Sequence, residues 1–199
     1  MCCTLTEYCP GQEPGTFGAG STVQAILADL RNTFCGCKRI GGSVNVFFPS
    51  MPTDNYSLTE DDFNFLYHLE EVGGGVTFIN VPSIDRLTLP NLVLIRGNNL
   101  PSSSLVTNGF ALSLVNSTVD MFVLPKLVEI TVGSMQLYNS TWCGYYTVNW
   151  EDIFEAGSVH LLPNNDELNF TNELSMRCPS EDRECGCSLV CICAYNEIH

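Results

Sequence analysis

Short apolar phrases recur along the chain, and each combines a β-branched residue, a turn glycine and alternating apolar positions. The clearest pair is LEEVGGGVTFIN at 69–80 and LVEITVGSMQLYN at 127–139. Related phrases occur as CKRIGGSVNV at 37–46, LVLIRG at 92–97 and IFEAGSVHLL at 153–162. A unit that recurs at a near-regular interval is typical of a solenoid, because one coil cannot bury its apolar side alone. We therefore predict a mostly β solenoid in which each phrase marks one coil.

Alternating apolar positions predict one short strand in each coil, and a second apolar stretch precedes each strand. The predicted strands are 43–48, 75–81, 110–115, 134–138 and 158–162. Like residues of successive coils should form ladders in the core. This geometry predicts that Val44, Val76, Met135 and Val159 stack on neighbouring coils. The coils differ in length, so 47–63 and 96–109 are predicted to bulge as loops.

One amphipathic helix is predicted before the first strand. Its apolar residues share one face at helical spacing: Val23, Ile26, Leu27, Leu30 and Phe34. Ser21, with Gln24 three positions later, has the pattern of a capping box. Gly36 ends the helical pattern.

Composition and charge restrict the classes of partner. The chain has 199 residues, of which 45% are apolar, and a net charge of −14. This acidity argues against nucleic acid and against an anionic membrane surface, and it is compatible with a basic partner. No signal peptide follows Met1, and the most apolar region, 110–132, is interrupted by charged residues and a proline. We therefore expect no membrane insertion by this chain, which looks like a fragment of a longer protein or an incomplete gene model.

Cysteines and glycosylation sequons together favour a secretory route. The chain has eleven cysteines. Four sequons begin at Asn55, Asn116, Asn139 and Asn169. The alternative is a cytosolic metal protein with chance sequons. The odd cysteine count leaves one thiol without a partner within the chain.

The end of the chain differs from the rest. Five cysteines fall within the 22 residues of 178–199, and a segment with so little to pack depends on cross-links. We predict a domain at 1–177 and the start of a disulfide-rich module at 178–199. The run Cys185-x-Cys187…Cys191-x-Cys193 could bind zinc, but structural zinc sites usually separate paired cysteines by two to four residues. Disulfides are therefore favoured.

No motif predicts catalysis, a cofactor or a metal. The histidines, His68, His160 and His199, lie in neither a nucleophile elbow nor a zinc helix. The acidic run 60–62 lacks the spacing of calcium ligands and is interpreted as a solvated run that starts or caps a turn. The glycines at 73–75 do not follow a strand and open a helix, so they are interpreted as a coil corner rather than a phosphate loop.

Four segments stand out together: CPG at Cys9, TFCGC at the end of the helix, LPNLVLIRG at 89–97 and WCGYYTVNWEDIF at 142–154. They resemble the first L domain of the epidermal growth factor receptor family, followed by the start of its furin-like cysteine-rich domain. A cysteine seven residues before a Trp-x-Asp-Ile, here Cys143 and Trp150, is specific to that family. The insulin receptor family shares the architecture and is the second choice.

The resemblance implies a right-handed β-helix capped by the N-terminal helix. It also implies a disulfide between Cys9 and Cys37, and closing such a loop contributes roughly 3 kcal/mol. A second bond would join Cys143 to Cys178 or to Cys185.

Three further positions have a structural interpretation and an alternative one. Cys35 is an extra cysteine that can pair with Cys2 or Cys3. Trp150 is interpreted as a plug of the core, and Arg96 as a cation that anchors a loop, rather than as ligand contacts.

In the resembled family, growth factors dock on a sheet face of this domain and on a segment near the N-terminus. Carried over from the motifs, the face positions are Phe48, Val81, Val115 and Asn116. The N-terminal segment is Gly15, Thr16, Phe17 and Gly18. The alternative for the apolar positions is ordinary packing within the coils. A glycan on Asn116 would obstruct the same face.

The resemblance thus implies a non-catalytic, extracellular, ligand-binding L domain of a receptor tyrosine kinase, whose partner is a peptide growth factor. Receptor homodimers or heterodimers would form through domains absent from this chain. A secreted decoy that sequesters ligand is one alternative. An adhesive or structural solenoid without a kinase is another.

Overall fold

The computed structural model describes residues 4–13, 22–48, 57–100, 109–138, 140 and 153. Within them the chain is mostly β, as predicted. The strands are β1 (Thr6–Cys9), β2 (Cys37–Ile40), β3 (Val44–Phe47), β4 (Glu71–Val72), β5 (Val76–Ile79), β6 (Ile84–Thr88), β7 (Leu94–Ile95), β8 (Phe110–Val115), β9 (Val119–Val123), β10 (Glu129–Ile130) and β11 (Ser134–Tyr138). The helices are α1 (Val23–Phe34) and one 3₁₀ helix (Glu60–Leu66). The strand predicted at 158–162 lies outside the described residues.

The strands form three sheets, and all of their pairings are parallel. The five-stranded sheet has the order β1-β2-β4-β7-β10, the four-stranded sheet β11-β8-β5-β3, and the two-stranded sheet β6-β9. From β4 to β9 the chain passes through the five-, four- and two-stranded sheets in turn, and then does so again. We call one such passage a circuit. Each circuit adds the next strand to every sheet.

The register of the four-stranded sheet aligns like residues of successive circuits. Val44 lies opposite Val76, Val76 opposite Leu112, and Leu112 opposite Met135. All four side chains are buried and belong to one core cluster. The predicted stacking of Val44, Val76 and Met135 is confirmed, whereas Val159 lies outside the described residues.

Glycines occupy the corner between the five-stranded and four-stranded sheets, as predicted for 73–75. The Gly73 amide donates to the Ile40 carbonyl at 2.7 Å, and the Gly74 amide to the Gly42 carbonyl at 2.8 Å. Successive circuits therefore contact each other through backbone at this corner.

The predicted apolar face of α1 is buried throughout: Val23, Ile26, Leu27, Leu30 and Phe34. The N-cap is Thr22, whose Oγ1 accepts a hydrogen bond from the Ala25 amide at 3.2 Å. The capping box expected from Ser21 and Gln24 is therefore wrong by one residue. Serine and threonine hydroxyls cap a helix in the same way, so two adjacent hydroxyl residues leave its first residue ambiguous.

A disulfide joins Cys9 in β1 to Cys37 in β2, which is the pairing that the resemblance implied. It holds the N-terminal strand beside the strand that follows the helix. Cys35 is also disulfide-bonded, and its partner lies outside the described residues.

The acidic run at 60–62 forms the first turn of the 3₁₀ helix, and its interpretation as a solvated run is wrong for Asp62. Asp62 is buried. Its Oδ2 accepts from the Thr59 amide at 3.0 Å, and its Oδ1 accepts from the Arg31 guanidinium at 3.0 Å. Asp62 thus caps the 3₁₀ helix and ties it to α1, because a buried carboxylate needs partners of this kind.

Candidate binding face on the four-stranded sheet

Side chains of the four-stranded sheet alternate between two faces. One set lies in the core cluster: Val44, Val46, Val76, Phe78, Leu112, Leu114, Met135 and Leu137. Because successive residues of a strand point to opposite sides, the residues between them form a second face, which we call the outer face. It consists of Asn45, Phe47, Thr77, Ile79, Ser113, Val115, Gln136 and Tyr138.

A polar row crosses the outer face in register. Asn45 lies opposite Thr77, Thr77 opposite Ser113, and Ser113 opposite Gln136. All four are buried, yet Ser113 Oγ and Gln136 Oε1 have no hydrogen-bond partner. A buried polar atom without a partner costs about 1 to 3 kcal/mol, so both atoms would be stabilised by a new donor or acceptor.

An apolar row runs beside the polar row, also in register. Phe47 lies opposite Ile79, Ile79 opposite Val115, and Val115 opposite Tyr138. Ile79 and Val115 are buried but do not belong to the core cluster. Phe47 is partly exposed and Tyr138 is 38% exposed. The sheet therefore carries a second apolar strip, separate from the core.

The structure corrects two of the positions predicted for ligand contact. Phe48 and Val81 are 1% and 2% exposed and belong to the core cluster. Their alternative interpretation, packing within the circuits, describes them correctly. A shift of one residue along a strand moves a side chain to the other face, so the motif-based count placed Phe48 one position past the outward Phe47.

Val115 lies on the outer face as expected, but most of that face is buried. Six of the eight outer-face residues are less than 10% exposed. Only Phe47 and Tyr138, the two ends of the apolar row, retain appreciable exposure.

Asn116 follows β8 at the corner of the outer face. It is exposed and adopts a left-handed backbone with φ of 47°. Its amide donates to the Tyr138 carbonyl at 2.8 Å. Asn80 occupies the matching corner after β5, with φ of 55°. Asparagine tolerates this conformation better than most residues, so Asn116 has a clear structural role, and its glycosylation stays a prediction.

The remaining predicted site residues lie outside the described residues. They are Gly15, Thr16, Phe17 and Gly18 of the N-terminal segment, the sequon asparagines Asn55, Asn139 and Asn169, the cysteines Cys143 and Cys178, and Trp150.

Arg96 lies in a charged row on the five-stranded sheet. Its guanidinium bonds to Glu71, which also pairs with Arg39 at 3.8 Å, and Arg39 pairs in turn with Glu7 at 3.7 Å. The hydrogen bond to Glu71 and the charge of that carboxylate raise the pKa of Arg96 above its usual value. These contacts support its interpretation as an anchoring cation.

Within the described ranges, no group of three or more His, Cys, Asp or Glu side chains is placed to hold a metal ion. The helices of those ranges are also too short or too polar to cross a membrane.

The chain matches one protein family and several receptors in sequence. Residues 36–154 match the family described as Receptor L domain. The epidermal growth factor receptor of Gallus gallus is 33% identical over 167 residues, which is 80% of this chain and 22% of that relative. The melanoma receptor tyrosine-protein kinase of Xiphophorus maculatus is 28% identical over 156 residues, 72% of this chain and 13% of that relative.

The epidermal growth factor receptor of Drosophila melanogaster is 25% identical over 131 residues, 65% of this chain and 9% of that relative. In each case, this chain therefore spans less than a quarter of the length of the curated relative.

Proposed function

We propose, because the chain belongs to the receptor L domain family, that it is an extracellular binding domain for a peptide growth factor. The resemblance to the epidermal growth factor receptor family is confirmed by relatives that carry that name in Gallus gallus and Drosophila melanogaster. A growth factor is the partner that their name indicates.

The observation that carries the proposal is the apolar row on the outer face. Phe47, Ile79, Val115 and Tyr138 align across all strands of the four-stranded sheet and lie outside the core cluster. Its two partly exposed ends, Phe47 and Tyr138, lie on the opposite edge strands of the sheet. A partner that contacts both ends therefore runs across the strands.

The parallel circuits also fit the proposed right-handed β-helix with α1 as its cap.

The rest of the proposal concerns the parent protein. It includes an L domain at 1–177, the start of a cysteine-rich domain at 178–199, and contact of 15–18 with the growth factor. It also includes a receptor tyrosine kinase that dimerises through other domains, in keeping with the name of the Xiphophorus maculatus relative.

Growth-factor binding by surface variants tests the proposal. Tyr138→Ala and Phe47→Ser are expected to weaken binding of a growth factor of the epidermal growth factor class about tenfold, because truncated aromatic anchors cost more than about 1 kcal/mol. The measurement is surface plasmon resonance with immobilised growth factor. Val128→Ala is the matched control, since Val128 is an apolar side chain that is 64% exposed and lies next to the five-stranded sheet.

Two results would contradict the proposal. Equal affinities for the three variants and the unaltered chain would exclude the outer face. If a chain extended by a second L domain folds but binds no growth factor of this class, the adhesive or structural alternative is favoured.

A further inference from the structure

A small cleft opens beside the first circuit, where the residues after β1, the turn between β2 and β3, and the turn after β7 meet. Its volume is about 230 Å³. The residues that line it are Tyr8, Pro10, Gln12, Glu13, Gly41, Gly42, Ser43, Asn98 and Asn99. We call it the Tyr8 cleft. Neither the family match nor the outer face accounts for it.

The Tyr8 ring lies against the β2–β3 turn at this cleft. A Cβ atom added to Gly41 would overlap the Tyr8 hydroxyl, so the ring end lies directly on the backbone of the β2–β3 turn. Tyr8 is nevertheless 63% exposed. It therefore presents aromatic surface to an incoming group beside the turn.

The charges of the residues that line the cleft favour a cationic ligand. The lining residues include Glu13, Asn98 and Asn99, but neither lysine, arginine nor histidine. Glu13 takes part in none of the ion pairs found among the described residues. The cations of the adjacent charged row, Arg39 and Arg96, are paired with carboxylates there. An anion would find no positive partner in the cleft, whereas a cation would find a free carboxylate, amide oxygens and a ring.

We infer that the Tyr8 cleft receives an arginine side chain of a protein partner. A planar guanidinium can stack on the Tyr8 ring and at the same time donate hydrogen bonds to Glu13 and to the amide oxygens of Asn98 and Asn99. Lysine would supply the charge without the planar fork. The net charge of −14 further favours a basic segment.

The identity of the partner rests on the proposed function. Gln12 and Ser43 of the lining form an isolated bridge, and Ser43 directly precedes β3, the edge strand of the four-stranded sheet. A growth factor on the outer face would thus lie beside the strand that continues from the cleft, and one of its arginines is the proposed occupant.

The test is a titration of the full ¹⁵N-labelled chain with N-acetyl-arginine methylamide, followed by amide chemical shifts. The expected result is a saturable shift of the Gly41, Gly42, Asn98 and Asn99 amides, with a much smaller effect from the neutral isostere N-acetyl-citrulline methylamide. Glu13→Gln and Tyr8→Ala should each weaken binding of the arginine probe about fivefold. Tyr8→Phe, which keeps the ring, and Asp85→Asn, which removes an exposed charge elsewhere, should leave it unchanged.

Equal shifts with the citrulline probe or unchanged binding in Glu13→Gln would overturn the inference. Its failure can be separated from that of the proposed function. If the arginine probe binds as described but no growth factor does, the cleft inference stands and the proposed partner is wrong. If growth factor binds with the expected sensitivity to Tyr138→Ala but the probe does not bind, only the cleft inference fails.

Discussion

Replacing Phe78 by alanine is expected to lower the free energy of unfolding by about 3 to 5 kcal/mol. Phe78 is fully buried on the inward side of β5. Its ring packs edge-on against Phe63 of the 3₁₀ helix at 6.2 Å and against Phe122 of β9 at 5.6 Å. The cavity would open where the four-stranded sheet, the 3₁₀ helix and the two-stranded sheet meet, so no single element can collapse to fill it.

Urea denaturation followed by circular dichroism measures this change. Tyr67→Ala is the control, because Tyr67 is an aromatic residue at the end of the same 3₁₀ helix but is 50% exposed. It should lose no more than about 0.5 kcal/mol. A loss below about 1 kcal/mol for Phe78→Ala would show that the three elements do not share one packed core.

Gly97→Ala is expected to lower the free energy of unfolding by about 2 to 5 kcal/mol, which is the second large effect. Gly97 has φ of 67°, a backbone conformation that disfavours a side chain. An added Cβ would also overlap the carbonyl oxygen of Val132 in the next circuit. The energetic costs of backbone strain and of steric overlap therefore add. The circuit that contains Val132 cannot move away without losing its strand pairing with the circuit of Gly97.

Gly109→Ala separates these two contributions. Gly109 has φ of 72°, but an added Cβ would meet nothing within 4 Å. Only the strain of the left-handed conformation remains, about 1 to 2 kcal/mol. In thermal unfolding, Gly97→Ala should have a clearly lower melting temperature than Gly109→Ala. Equal decreases in melting temperature would contradict the close contact between circuits.

Most of the fold could be predicted because its signals are periodic. The burial of Ile26, Leu30 and Phe34 follows from helical spacing, and the stacking of Val44 on Val76 follows from the repeated phrase around the turn glycine. Both patterns depend on many residues, so no single side chain decides them. The Cys9–Cys37 bond could be carried over from the family because both cysteines occupy motif positions.

The site was harder to predict because it depends on single positions. Phe47 and Phe48 are chemically identical neighbours, and only the observed register shows that Phe47 is outward and Phe48 is in the core. Val81 fails for a different reason: it follows the left-handed corner at Asn80, beyond the end of β5, where the alternation of the strand no longer holds. A signal was present, since Thr77 and Ser113 alternate with large apolar residues and mark the outer side of each strand.

Tertiary contacts account for the remaining differences. Asp62 is buried because Arg31, which lies 31 positions earlier in the chain, reaches it, and a run of three acids gives no sign of such a partner. The burial of Ile79 and Val115 outside the core cluster likewise cannot be seen in the alternation of a strand, which distinguishes two faces but not what covers each one.

A methyl NMR titration with a growth factor of the epidermal growth factor class decides whether the outer face of the four-stranded sheet holds the partner. We expect the methyl signals of Ile79 and Val115 to shift, whereas those of Val76 and Leu114, which lie on the inward side of the same two strands, should stay nearly unchanged. Growth factor that binds while Ile79 and Val115 keep their free chemical shifts would contradict this expectation.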